Sequence, residues 1–352
     1  MANVEFWTTG AGVPGVGTRR AERAEEAGYD GIVYVDSQNL AGDCYIALAM
    51  AAHATTRLKL GTGVTNPFTR HPAVTASAIA TVQAESGGRA VLGIGRGDSA
   101  LAHLGLAPAS PAVFADYLSR LQGYLRGDDV SFGADANVDT LGLADRPAAS
   151  RIRWLRHVGG EKVPVDVTAT GPKVIRIGAT LGDRLTFAVG ADIERLRWGM
   201  ETAREARAAG GLDASAQPMG AYVTVVAHPD LDIAKHLGEG GISLFTRFSA
   251  MHGTVVGPVT ADSAPVFRAV HDAYDMNRHS RVGSAQASVI PTDFAANFAV
   301  LGAPKECVRR LRELVDLGLD RLVIVGPSAE ADPAEADRAE RAFVEEVMPA
   351  FR

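Results

Sequence analysis

Short apolar runs alternate with amphipathic stretches along most of this chain. The apolar runs are rich in Val, Ile and Leu, and Gly or polar residues follow most of them, which is typical of buried strands. Between them, apolar residues recur at helical spacing, as with Val74, Ala78 and Val82 in a predicted helix over 72–85 that begins at Pro72. The predicted strands are residues 3–8, 30–35, 58–64, 89–94, 163–169, 184–189, 219–227 and 321–325.

This alternation of strand and helix predicts an α/β fold with a parallel sheet. No break in composition divides the chain, so we expect one domain over residues 1–352, a (β/α)8 TIM barrel. Two stretches are too long for simple connections, and they predict insertions after strands four and seven, over about 99–162 and 229–300. A doubly wound sheet is the alternative, because Gly-x-Gly turns also follow strands in that fold.

Composition and charge limit the classes of molecule that this protein is expected to bind. The chain has 352 residues, of which 47% are hydrophobic and 22% charged, with a net charge of −6 and both signs interspersed. We therefore expect a folded protein with a small-molecule partner, and neither nucleic acid nor a membrane as a partner. The two cysteines, Cys44 and Cys307, lie in helix-like apolar patterns, which indicates buried thiols in a reducing, cytoplasmic environment.

The candidate site residues follow from the barrel, whose active sites lie at the carboxyl ends of the strands. Polar residues collect near the ends of the first five predicted strands. They are Glu5, Thr8, Asp36, Ser37, Gln38, Thr65, Asn66, Arg96, Asp98, Thr170 and Gly171.

Glu5 stands out because it is a carboxylate in an otherwise apolar strand. An inward carboxyl group there predicts an acid or base whose pKa is raised by burial, placed beside Asp98. A partly exposed carboxylate at the end of the strand is the alternative.

Two Gly-containing turns are candidates for holding a phosphate. The turn from Gly95 to Asp98 carries Arg96, and the turn from Thr170 to Lys173 places backbone amides at a helix start. A solvated arginine and an ordinary helix cap explain the same residues. The histidines lack the spacing of metal ligands, so we expect no metal site.

Three segments carry a resemblance to a known family. Residues 60–67 (LGTGVTNP), 70–72 (RHP) and 92–98 (LGIGRGD) resemble the luciferase-like flavin and deazaflavin oxidoreductases, nearest the branch that contains methylenetetrahydromethanopterin reductase. The resemblance implies a (β/α)8 barrel that binds coenzyme F420, or alternatively FMN, at the carboxyl-terminal mouth. It also implies a homodimer formed through helices near strands two and three.

The resemblance assigns roles to individual positions. It implies that a bulge with a non-prolyl cis peptide backs the cofactor ring and that a separate turn and an arginine hold its phosphate. It further implies that Glu5 and Asp98 handle protons. Our predicted catalytic residues are Glu5, Asp98 and Asp36; the cofactor residues are Gly63, Val64, Thr65, Asn66, Arg96, Ala169, Thr170 and Gly171; the substrate contacts are Trp7 and Gln38.

The function implied by the resemblance is hydride transfer between F420 and a small organic substrate. An FMNH2-dependent monooxygenase and a non-catalytic cofactor-binding paralogue are the alternatives. Related F420 enzymes often have Asp-His after strand two, where this chain has Asp36-Ser37, so no histidine is available there as a proton donor.

Overall fold

A computed structural model describes residues 4–133, 136–142, 144–154 and 160–352. Within them, eight parallel strands close into a barrel, since each strand pairs with the next in chain order and the last pairs with the first. Closure excludes the doubly wound sheet. The barrel strands are β1 (Glu5–Ala11), β2 (Gly31–Val35), β3 (Lys59–Thr62), β4 (Ala90–Ile94), β7 (Val165–Ala169), β8 (Arg184–Phe187), β9 (Met219–Ala227) and β11 (Arg321–Val325).

Helices surround the barrel, and their ends follow local sequence signals. His71 and Asp192 cap two of them by accepting hydrogen bonds from first-turn amides, and proline occupies the first turn of several others. The helices are α1 (Gly17–Glu26), α2 (Cys44–Ala54), α3 (Pro72–Glu85), α4 (Ser99–Ala102), α5 (Pro111–Arg126), α6 (Pro172–Leu181), α7 (Ile193–Ala209), α8 (Leu231–Ser249), α9 (Ala264–Asp272), α10 (Ala285–Ser288), α11 (Thr292–Phe298), α12 (Pro304–Asp316) and α13 (Pro333–Ala342).

Insertions follow the fourth and seventh barrel strands, as predicted. The first contains α4, α5 and an antiparallel pair of short strands, β5 (Val130–Ser131) and β6 (Ala149–Ser150). The second begins with α8 and also contains α9 to α11, after which β10 (Val300–Gly302) pairs with the carboxyl-terminal end of β9. In the described part of the chain, no helix is both long and apolar enough to cross a membrane.

The first strand differs from its prediction in a way that matters for function. It was expected over residues 3–8, whereas it runs from Glu5 to Ala11; residue 3 lies outside the described residues. Glu5 is therefore the first residue of β1, at the amino-terminal end of the barrel. The candidate site lies at the opposite end.

Candidate active site

Asp36, directly after β2, is buried and is held by three side chains. Its carboxylate accepts hydrogen bonds from Thr65 Oγ1 (2.7 Å) and Gln38 Nε2 (2.7 Å), and it forms an ion pair with Arg70 Nη1 (2.6 Å). Three donors take up most of the lone pairs of the carboxylate. The carboxylate that we predicted to be catalytic thus holds the segment after β3 in place.

That segment begins with the predicted bulge. The peptide between Gly63 and Val64 is cis, as the resemblance implied. The Gly63 amide donates to the Tyr34 carbonyl (2.7 Å), and the Thr65 amide donates to the Gly93 carbonyl (3.0 Å). Backbone bonds to β2 on one side and to β4 on the other therefore fix the bulge at the barrel mouth.

Asn66 adds an unpartnered donor next to the bulge. Its Oδ1 accepts hydrogen bonds from the amides of Phe68 (3.0 Å) and Thr69 (3.1 Å), which fixes the orientation of the side chain. Its Nδ2 is buried and has no partner among the described residues. Buried polar groups are rarely left unpaired, so this atom fits a site that takes a ligand with hydrogen-bond acceptors.

Asp98, after β4, meets residues from the second insertion. It forms an ion pair with Arg247 Nη1, and the Arg247 guanidinium lies 4.6 Å from the centre of the Tyr274 ring. The Tyr274 hydroxyl is 2.8 Å from His279 Nδ1. Burial lowers the pKa of His279 to about 4, against the opposing charge of Asp98, so the imidazole is neutral at pH 7.

Sequence reasoning missed Arg247, Tyr274 and His279. They lie in the insertion after the seventh strand, which has no strand end to mark a site. The only signal was the charge of Arg247 inside the apolar pattern of α8. The structure brings these three residues to the barrel mouth beside Asp98, where they can contact a bound substrate.

Two features at the mouth, the start of α6 and the Arg96 side chain, are suited to binding a phosphate. Gly171 precedes α6 and provides no capping side chain, so the first-turn amides of that helix have no side-chain acceptor there. Thr170 donates to the Ala188 carbonyl (3.2 Å), and Ala169 is buried in the last position of β7. Arg96 donates from Nε to the Ala109 carbonyl and makes no ion pair within the described residues.

Glu5 lies at the opposite end of the barrel from Asp98, contrary to prediction. It forms ion pairs with Lys59 and with Arg184 (3.2 Å), and it accepts a hydrogen bond from Trp7 Nε1 (2.9 Å). Burial raises the pKa of Glu5, but these partners outweigh burial and lower it to about 2. The predicted raised pKa and the predicted proximity to Asp98 are both wrong.

Trp7 fills the barrel interior instead of facing the mouth. It is 1% exposed, and the guanidiniums of Arg184 and Arg321 lie 5.9 and 5.7 Å from its ring centre. Gly31 leaves the space that its indole occupies. The predicted substrate contact by Trp7 is therefore wrong. Gln38 is exposed beside Asp36, and its predicted contact with substrate stays a prediction.

No group of three or more His, Cys, Asp or Glu side chains in the described ranges is arranged to hold a metal ion.

Comparisons with known proteins show the family and the fold of this chain. A family model described as luciferase-like monooxygenase matches residues 6–321. A 5,10-methylenetetrahydromethanopterin reductase from Methanolobus tindarius is 28% identical over 317 residues, covering 88% of this chain and 90% of that protein. An F420-dependent glucose-6-phosphate dehydrogenase from Amycolatopsis mediterranei (strain U-32) is 28% identical over 354 aligned residues, covering 94% and 93%.

A solved structure shares the fold. The coenzyme F420-dependent tetrahydromethanopterin reductase from Methanopyrus kandleri superimposes with a TM-score of 0.74 at 22% identity, covering 100% of both chains.

Proposed function

Because this chain belongs to the luciferase-like monooxygenase family, we propose that it is an oxidoreductase that transfers a hydride between coenzyme F420 and a small organic substrate. The names of the Amycolatopsis dehydrogenase and of the Methanopyrus reductase share F420 as the cofactor. They differ in the substrate, which is a sugar phosphate in the first name and a pterin in the second. The similarity therefore supports the cofactor more strongly than any one substrate.

The segment from Gly63 to Asn66 carries the proposal. It is held by β2, β4 and Asp36, and Asn66 Nδ2, which has no partner among the described residues, lies beside it. A fixed backbone surface of this kind suits a planar ring. We assign Gly63, Val64, Thr65 and Asn66 to the ring, and Arg96 with residues 169–171 to the phosphate. The bound cofactor would supply the two-electron carrier.

Asp98 is our proposed proton-handling residue. Glu5 lies at the other end of the barrel and three side chains hold Asp36, whereas Asp98 lies at the mouth with one ion pair among the described residues. The neighbouring Arg247 orients this carboxylate at the mouth, where it can accept a proton from a bound substrate. The neutral His279 and Tyr274 lie next to this pair and extend the hydrogen-bonding surface toward substrate.

An FMNH2-dependent monooxygenase is the second candidate, because the matching family model carries that description. The test is titration of the purified protein with F420 and with FMN, followed by reduction under anaerobic conditions and exposure to oxygen. Micromolar binding of F420 with no oxygen consumption supports our proposal. Binding of FMN alone contradicts it, and binding without turnover of any tested substrate indicates a cofactor-binding paralogue.

We also propose that two copies of the chain form a homodimer through α2 and α3. Three apolar side chains on these helices are exposed: Ile46 (65%), Met50 (52%) and Val74 (53%). Exposed apolar patches of this kind mark association surfaces. The double change Ile46→Glu and Met50→Glu should convert a dimer to a monomer in light scattering, whereas Val16→Glu, an exposed position before α1, should not.

The two cysteines support a reducing, cytoplasmic location. Cys44 and Cys307 are both buried thiols without a disulfide. Fractionation of cells that produce the protein would test this location.

A further inference from the structure

Arg195, in the first turn of α7, is a buried cation without a carboxylate in contact among the described residues. It is 1% exposed, and its guanidinium lies 5.0 Å from the centre of the Phe267 ring. Nη1 donates to the Pro258 carbonyl and Nη2 to the Val256 carbonyl, both at 2.6 Å. A single guanidinium thus holds two carbonyls of the second insertion.

The same stretch, residues 256–258, is held at two further points. Gly257 has a φ of +86°, and a side chain on it would meet the Trp198 ring at 2.9 Å, so Trp198 packs directly on this backbone. The Val256 amide donates to the Ser249 carbonyl at the end of α8 (2.9 Å). Residues 256–258 are therefore fixed to α7 and to α8 together.

This stretch covers the start of α6. A Cβ atom on Gly171 would lie 3.5 Å from Val256 Cγ1, so the Val256 side chain lies directly over the position that precedes the helix. Gly171 belongs to the turn that we assign to the cofactor phosphate. The insertion after the seventh strand is thus in contact with the phosphate end of the proposed site.

We propose that Arg195 is a positioning residue for the cofactor phosphate, acting by holding residues 256–258 over the turn at Gly171. This inference rests on the proposed function. The planar fork of arginine matches two carbonyls at once, whereas lysine offers a single ammonium point charge and cannot reproduce both bonds. With one bond lost, residues 256–258 can shift and water gains access to the phosphate, which weakens its interactions with the protein.

Burial lowers the pKa of Arg195 to about 10, with the nearby Asp192 charge opposing that effect. The guanidinium remains charged at pH 7. Its contribution to cofactor binding is therefore expected to be constant across the neutral range.

The experiment compares two pairs of ligands: FMN against riboflavin, which lacks only the phosphate, and F420 against 8-hydroxy-5-deazariboflavin, which lacks the phosphate and the tail attached to it. Each dissociation constant is measured by fluorescence for the wild type, Arg195→Lys, Val256→Ala and Arg197→Lys. Arg197 is the matched control, because it lies on the same helix but is exposed and pairs with Glu194 (2.5 Å). The ratio within a pair is unaffected by partial unfolding, since unfolded protein lowers both apparent affinities equally.

We expect Arg195→Lys to reduce the preference for the phosphate-bearing ligand by about tenfold, Val256→Ala to reduce it less, and Arg197→Lys to leave it unchanged. An unchanged ratio in Arg195→Lys and Val256→Ala, with tight binding by the wild type, would overturn this inference alone. Failure of the wild type to bind any of the four ligands would overturn the proposed function and this inference with it.

Discussion

Asp98 and Arg247 form an ion pair that joins the end of β4 to α8 across the barrel mouth. Their side chains are only 11% and 14% exposed, so both charges lie largely out of water. Removal of one partner from a buried pair leaves the second charge uncompensated. The pair therefore joins the end of β4 to the second insertion at the proposed substrate site.

Breaking this pair should lower the free energy of unfolding substantially, whereas breaking an exposed pair should lower it little. We expect Arg247→Leu to lower the free energy of unfolding by about 3 kcal/mol. Arg278→Leu is the matched control, since its pair with Glu330 is exposed, and it should cost less than about 1 kcal/mol. Urea unfolding measures both values. Equal losses would show that Asp98 does not depend on Arg247.

Asp36 and Asp43 offer a second matched comparison, because both pair with Arg70. Asp36 is buried and also holds Thr65, whereas Asp43 is 40% exposed. Asp36→Asn should destabilise the protein by about 3 kcal/mol and weaken cofactor binding. Asp43→Asn should cost less than about 1 kcal/mol, because asparagine still caps α2.

These two variants are compared by urea unfolding and by cofactor titration on the same preparations. If Asp36→Asn unfolds at the same urea concentration as the wild type, or binds cofactor equally well, the anchoring role of Asp36 is wrong.

Local pattern predicted the barrel well. The helix Pro72–Glu85 and the strands Met219–Ala227 and Arg321–Val325 have the predicted bounds, because proline, apolar spacing and β-branched runs act over a few residues. The placement of Glu5 and Trp7 failed for a different reason. Alternation indicates which side chains point into a barrel, but the end at which they lie depends on where β1 stops, three residues later than predicted.

Local sequence pattern does not predict which residues contact Asp98. Arg247 lies 149 residues away in sequence, and its pairing depends on how the second insertion folds over the barrel. Tyr274 and His279 come from the same insertion, where helices are short and periodicity is weak. A contact between a strand end and a distant insertion is tertiary, so the local pattern of the sequence does not predict it.

Glu5 should make stability depend on acid pH. Its pKa is about 2 in the folded protein against an ordinary value of 4.5, so its contribution is complete above about pH 4.5 and is lost as pH falls toward 2. The shift corresponds to about 3 kcal/mol. Glu5→Gln should therefore be less stable than the wild type at pH 6, and the difference should vanish near pH 2.

The same variant tests the placement of Glu5 at the amino-terminal end of the barrel. Glu5→Gln should bind cofactor with an affinity within about twofold of the wild type, because the proposed site lies at the other end. A difference in stability that does not change with pH, or a large loss of affinity, would contradict these expectations.

His279 should produce a separate acid-sensitive range. Its folded pKa is about 4 against an ordinary value of 6.5, so stability is complete above about pH 6.5 and falls as pH drops toward 4, by about 1.4 kcal/mol per pH unit. Asp98, Arg247, His103 and the Tyr274 hydroxyl face the imidazole. Urea unfolding between pH 4.5 and 7 measures this slope, which His279→Gln should reduce and the exposed control His53→Gln should not. An unchanged slope in His279→Gln would mean that this histidine is not buried in its neutral form.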